Sequence, residues 1–319
     1  MITFPTLFSK RRRGTTCPTF WTQRTSSFSG GTWINWVYYG NGYWVACADG
    51  RSAGDESLAT STDGISWTQR TSGFGADIIR GGCYADGVYI NVGSAGKLFT
   101  TTDPTTSWTS RTSQFGADPI YDVSWDGTYY VAFGEFGKTS TSTDGTTWTA
   151  ESAIAQSVIY AAEYGNSIWV CGGYKTGGGE TTVYTATDPT STFTKRVVQA
   201  GDEGVIYGVA YGNSVWVVVG EDASGDPIIY SASNPTSTWT SRTTTGFGTG
   251  EIIFEVSFGN ECFCAVGEAG TMATSTDGIT WISRTSSFSG TNMYGVAYDG
   301  TSRWVATGSS DKIATSDVI

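Results

Sequence analysis

An acidic or amide turn recurs along the whole chain, and its spacing constrains the fold more than any other feature. The copies read STDGISW (61–67), TTDPTTSW (101–108), STDGTTW (142–148), ATDPTSTF (186–193), ASNPTSTW (232–239) and STDGITW (275–281), with TSD at 315–317. The aligned positions are Asp63, Asp103, Asp144, Asp188, Asn234, Asp277 and Asp317, separated by 40, 41, 44, 46, 43 and 40 residues. A period of that length suits one four-stranded propeller blade. Each unit also carries a second hairpin signal: YYGNGYWVA from Tyr38, YADGVYI from Tyr84, WDGTYYVAFG from Trp125, YGNSIWVCGG from Tyr164, YGNSVWVVVG from Tyr211, FGNECFCAVG from Phe258 and YDGTSRWVATG from Tyr298. Asn-Gly and Asp-Gly between apolar runs predict type I′ turns, because both central residues need positive φ. Each unit therefore supplies four strands, A to D.

Seven A–B hairpins are present but only six complete C–D hairpins. The seventh is divided between the chain ends: strand C comes from DKIATSD (311–317) and strand D from FWTQRTS (20–26). Pairing the two ends in one blade closes a ring and removes its open edges. The expectation is an all-β, seven-bladed propeller over residues 18–319, preceded by a tail over 1–17. Composition agrees: three leucines (Leu7, Leu58, Leu98) and 43 glycines accompany abundant Thr, Ser, Val, Trp and Tyr, which suit pleated strands and turns.

The acidic turn followed by tryptophan resembles the Asp-box, or BNR, repeat of sialidases, some glucanases, sortilin-type receptors and photosystem assembly factors. The resemblance covers nearly the whole chain. It departs from the usual S-x-D-x-G-x-x-W because Gly64, Gly145 and Gly278 directly follow the aspartate, and the Pro-containing copies depart further. It implies a structural role for Asp63, Asp144 and Asp277, satisfying backbone amides, and packing roles for Trp67, Trp148 and Trp281. The Ser/Thr/Gly-rich repeats without histidine also look like propeller proteins of tailed bacteriophages, which implies a virion or extracellular surface setting.

Several classes are disfavoured. A net charge of −11 and a pI near 4.4 oppose nucleic-acid binding, which needs clustered Lys and Arg. No apolar run reaches the roughly 20 residues of a membrane span, and MITFPTLFSKRRR has its charges after its apolar residues, the reverse of a secretory signal. The six cysteines sit singly and histidine is absent, so no metal or other cofactor is expected. Most of the thiols read as small buried hydrophobes, with Cys262 and Cys264 sharing a strand face, and whether any pair is left open.

No catalytic residue is assigned. Arg24, Arg70, Arg111, Arg196, Arg242 and Arg284 fall three residues after the repeat aromatic, on outer strands, so they form no cluster. Arg80 alone sits on an inner strand. Asp122 and Glu255 share one column of strand A where other units have Gly, Ala or Trp36, and Glu163 lies two positions further on. Two carboxylates at a suitable separation would serve a glycosidase; solvated channel-lining acids are the alternative. Variable loops mark the D–A and B–C face as the recognition face. The candidate ligand residues are Trp33, Trp36, Arg51, Arg80, Asp122, Tyr174, Glu221 and Glu255, since aromatics beside carboxylates suit sugars. Trp33 and Trp36 could equally fill the closing seam beside Trp21. The expected role is a non-enzymatic assembly or attachment module, binding a neighbouring protein through the tail, with glycan binding as a second or coexisting role.

Overall fold

The computed structural model describes residues 17–50, 57–154, 157–175 and 177–317; the expected tail up to Thr16, and Arg51, lie outside them. The described residues form seven antiparallel sheets of four strands. The inner strands A are Ile34–Gly40, Ile79–Ala85, Ile120–Trp125, Ser157–Gly165, Val205–Gly212, Ile253–Gly259 and Met293–Tyr298. Each contacts the next, and the last contacts the first, so the sheets stand as blades in a closed ring. The seventh sheet pairs Thr22–Thr25 with Lys312–Asp317 in the register Thr22 to Thr315 and Thr25 to Lys312. The divided blade is therefore the closure that the repeat predicts.

Local chemistry repeats with the blades. Asp63 Oδ1 accepts the amides of Ile65 and Ser66 at 2.8 Å and the Ser61 hydroxyl at 2.9 Å. Asp144 and Asp277 accept the corresponding amides within 2.8 Å. Asp103, Asp188 and Asn234 each hold the amide two residues on. Asp317 instead takes the Arg303 guanidinium at 2.7 Å. The outer-strand arginines are equally repetitive: Nε of Arg24, Arg70, Arg111, Arg196, Arg242 and Arg284 donates to a strand C hydroxyl at 2.7–3.1 Å. Blade three inverts the pair, with Thr141 donating to Glu151 at 2.6 Å. These side chains are committed to the scaffold.

The A–B turns follow expectation with two exceptions. Asn166–Ser167, Asn213–Ser214 and Asn260–Glu261 have positive φ at both centres, as a type I′ turn requires. Asp126 and Asp299 instead receive two to three following amides on their side chains, making wider Asx loops.

Blades lock through aromatics. In every blade a strand A ring stacks on a strand B ring, as in Tyr39–Trp44 at 5.0 Å, Trp125–Tyr130 at 4.2 Å and Tyr211–Trp216 at 4.7 Å between centroids. The strand A ring also lies against the preceding blade: a Cβ on Gly212 would stand 2.1 Å from Phe258, and one on Gly40 2.2 Å from Tyr84. The ring of the next blade occupies the space that a side chain would need.

The cysteine expectation needs correction. Cys47, Cys171 and Cys264 are buried free thiols, but Cys262 is bonded to Cys17 across 245 residues of sequence. The start of the closing strand is thereby tied to the A–B hairpin of blade six. No spacing rule reveals such a pair, because closure of the ring is what brings the two residues together.

Two outcomes are expected. Gly212→Ala lowers stability by about 1–3 kcal/mol in urea unfolding, since the aromatic seat is overpacked. Cys17→Ser lowers it by about 2–4 kcal/mol under oxidising conditions, and reductant erases the difference between variant and parent.

Candidate functional site

Each inner strand carries a bulge at the same place. The registers jump between Ile34 and Trp36, Ile79 and Gly81, Ile120 and Asp122, Ile159 and Ala161, Ile206 and Gly208, Ile253 and Glu255, and Met293 and Gly295. A bulge inserts one unpaired residue and re-aims its side chain. The inserted residues are Asn35, Arg80, Tyr121, Tyr160, Tyr207, Phe254 and Tyr294, and all seven line one cavity of about 410 Å³.

This vestibule is walled by a continuous arc of rings. Trp33 lies 5.9 Å from Tyr294, Tyr294 5.2 Å from Phe254, and Phe254 6.0 Å from Tyr207. Tyr207 lies 5.3 Å from Tyr160, and Tyr160 4.9 Å from Tyr121. The Arg80 guanidinium completes the arc, 4.9 Å from the Tyr121 ring centre. All of these contacts are tilted or edge-on, so the rings form a basket, not a stack.

The rim polarises the arc. Tyr121 donates to Glu135 at 2.8 Å and Tyr207 to Glu221 at 2.7 Å. Burial first, and then these bonds, push both phenols above their ordinary range, so they remain donors. Asp49 accepts the Trp33 amide at 2.9 Å and returns its own amide to the Trp33 carbonyl. That exchange joins the D–A and B–C loops and holds Trp33, 40% exposed, at the mouth.

A second chamber of about 300 Å³ lies further along the channel, lined by Asp122, Glu163 and Glu255. Trp36 and Glu255 line both chambers, and Trp36 Nε1 donates to the Gly82 carbonyl at 2.8 Å. Asp122 is 6% exposed and Glu255 7%. The Asp122 carboxylate accepts the Val123 amide at 2.7 Å and, across the blade boundary, the Ala162 amide at 2.8 Å. Burial lifts Asp122 to about 6 against those two bonds. It lifts Glu163 to about 8, with the Asp122 charge adding to the effect. Glu255 is raised well above the carboxylate range by burial and then by Asp122.

The candidates therefore divide. Trp33, Trp36, Arg80 and Glu255 line the vestibule, and Glu221 supports one of its rings. Asp122 belongs to the lower chamber. Tyr174 sits near the end of its strand opposite Val158 and lines neither chamber. The sequence reading missed Tyr121, Tyr160, Tyr207, Phe254 and Tyr294. They stand one residue before the column that holds Asp122 and Glu255, so an aromatic recurring there in five units was the available signal. Strict alternation assigns that residue to the blade interior, and only the bulge turns it into the channel. Among the described residues no cluster of three His, Cys, Asp or Glu side chains is arranged to hold a metal ion, and no helix is long and apolar enough to cross a membrane.

The three carboxyls of the lower chamber set a pH dependence. Their folded pKa values lie above their unfolded ones, so their contribution is complete below about pH 4 and is lost as pH rises through about 6 and 8. The melting temperature should fall between pH 5 and pH 9, and Glu163→Gln should flatten the upper part of that decline. A profile unaltered by the substitution would exclude Glu163 as a source.

No protein-family profile and no curated protein sequence matches the chain. Solved structures do match. YCF48 bound to a D1 peptide superposes with a TM-score of 0.72 at 13% identity, covering 96% of this chain and 99% of that one. YCF48 from Cyanidioschyzon merolae gives 0.71 at 13% identity over 93% and 98%. A catalytically inactive virginiamycin B lyase from Staphylococcus aureus with quinupristin gives 0.78 at 10% identity over 94% and 99%. At such identities the likeness establishes the fold: the chain is a seven-bladed β-propeller.

Proposed function

We propose that this propeller is a non-catalytic recognition module that takes its ligand at the vestibule. The observation that carries the reading is the arc of six rings and one guanidinium at the channel mouth. Aromatic faces cover the apolar faces of sugars, while carboxylates such as Glu221 and Asp49 accept hydroxyl donors. A cavity of this volume lies within the range of small-molecule sites.

The attachment role expected from the sequence fits such a module. In this reading the segment before Cys17 docks to a neighbouring protein of a larger assembly, such as a virion, while the vestibule meets a surface glycan. The bound peptide of YCF48 is a precedent for protein partners on this fold. A hydrolase reading finds less support. Asp122 has both oxygens engaged by backbone amides of two blades, which makes it a clamp between blades three and four.

The test is retention of the purified chain on an immobilised glycan panel, with released products measured in parallel. Tyr160→Ala and Tyr207→Ala should each weaken retention by about tenfold, the loss of one stacking ring, while no product appears. Product release abolished by Asp122→Asn would replace this reading with the hydrolase.

A further inference from the structure

The chemistry of the vestibule is unbalanced in a way that specifies its ligand. Arg80 Nε is buried and has no hydrogen-bond partner, and among the described residues the guanidinium makes no ion pair. The guanidinium lies over the Tyr121 ring face. A buried guanidinium nitrogen without an acceptor is costly unless something else supplies one. The contrast with the six strand D arginines is sharp, since each of those satisfies Nε on a blade hydroxyl. The remaining polar lining is rich in acceptors. Asp49 lines the cavity beside the rings, and Glu135 and Glu221 at the rim have each accepted one phenol and retain further lone pairs.

We propose that the vestibule binds a carboxylate-bearing saccharide of the uronate type, with its carboxylate on Arg80 and its ring against Tyr121, Tyr160 and Tyr207. This rests on the recognition reading above. The planar fork of arginine matches a carboxylate, and the acceptor-rich rim matches a ligand that donates from many hydroxyls. A peptide presents amide donors and carbonyl acceptors in equal number, and the vestibule has few donors left for the carbonyls. A cationic ligand would be held beside a fixed positive charge, since Arg80 already lies over the end of the ring arc.

The experiment titrates the full chain with an oligogalacturonate and with the same oligosaccharide methyl-esterified at its carboxyls, following tryptophan fluorescence from Trp33 and Trp36. The acid should bind at least about tenfold more tightly than the ester, the gain of a charge-assisted bond. Arg80→Gln should remove most of the difference between acid and ester, while Tyr160→Ala weakens both and preserves that difference. A cooperative thermal melt of Arg80→Gln should show that the variant still folds, because Arg80 Nε makes no hydrogen bond to the blade. Equal affinity for acid and ester in the parent would overturn the Arg80 assignment and leave recognition of a saccharide standing. A short peptide with a free C-terminus, binding more tightly than either sugar and losing affinity on amidation, would overturn the saccharide. Absence of binding by acid, ester and peptide alike would overturn both the ligand and the recognition reading.

Discussion

The ring depends on one repeated contact: an inner-strand aromatic that stacks on its strand B partner and presses against the preceding blade. Four of these rings rest on a glycine, at Gly40, Gly165, Gly212 and Gly259, where any side chain would collide. The partner rings are among the most deeply buried groups in the molecule, with Trp44, Trp169, Trp216, Trp304, Tyr89, Tyr130 and Phe263 essentially inaccessible. Some reach back across the boundary, as Tyr89 does in donating to the Gly40 carbonyl at 2.6 Å. Burial of large rings is the main source of stabilisation, and close packing transmits the geometry of one boundary to the next. Seven such boundaries leave little freedom in the width of the channel.

That width gives the bulges their consequence. Each inner strand inserts one residue near its start, on the side where the D–A and B–C loops gather, and the closed ring points all seven insertions at one axis. Five are aromatic and one is arginine, so a backbone irregularity common to every blade becomes a site of specific chemistry. The lower chamber follows a different logic. Its carboxyls are desolvated, and one of them is spent on holding blade three to blade four. Trp36 and Glu255 stand where the two chambers meet, which separates an aromatic, partly open mouth from an acidic interior.

Closure is achieved twice over. Hydrogen bonding of Thr22–Thr25 to the last strand completes the seventh sheet, and the bond from Cys17 to Cys262 anchors the approach to that strand on blade six. Arg303 adds a third link, pairing with Asp317 in its own blade and donating to the Asp63 carbonyl of the first. A strand held only at the edge of a sheet would be the first element to fray. These links concentrate around the one blade whose strands the polypeptide itself leaves unconnected.

Much of this architecture was determined by sequence alone, because it is written in short-range patterns. Turn residues that need positive φ, acidic side chains that hold nearby amides and alternation along strands fixed the number of blades, their four strands and the division of the last one. The scaffold role of the strand D arginines was legible for the same reason. Of the site, the sequence singled out Trp33, Trp36, Arg80 and Glu255 as departures from the repeat or parts of its variable loops, and Glu221 although it shares its B–C position with Glu135 and Glu268. The five ring residues of the bulges were overlooked although an aromatic recurs there in five units, because strict alternation puts that residue on the opposite face and the one-residue shift is set by pairing with the next strand. The disulfide was equally hidden, its partners being neighbours only once the ring has closed. Tertiary structure decided these features because they depend on distances between residues that are remote in sequence, set by blade packing.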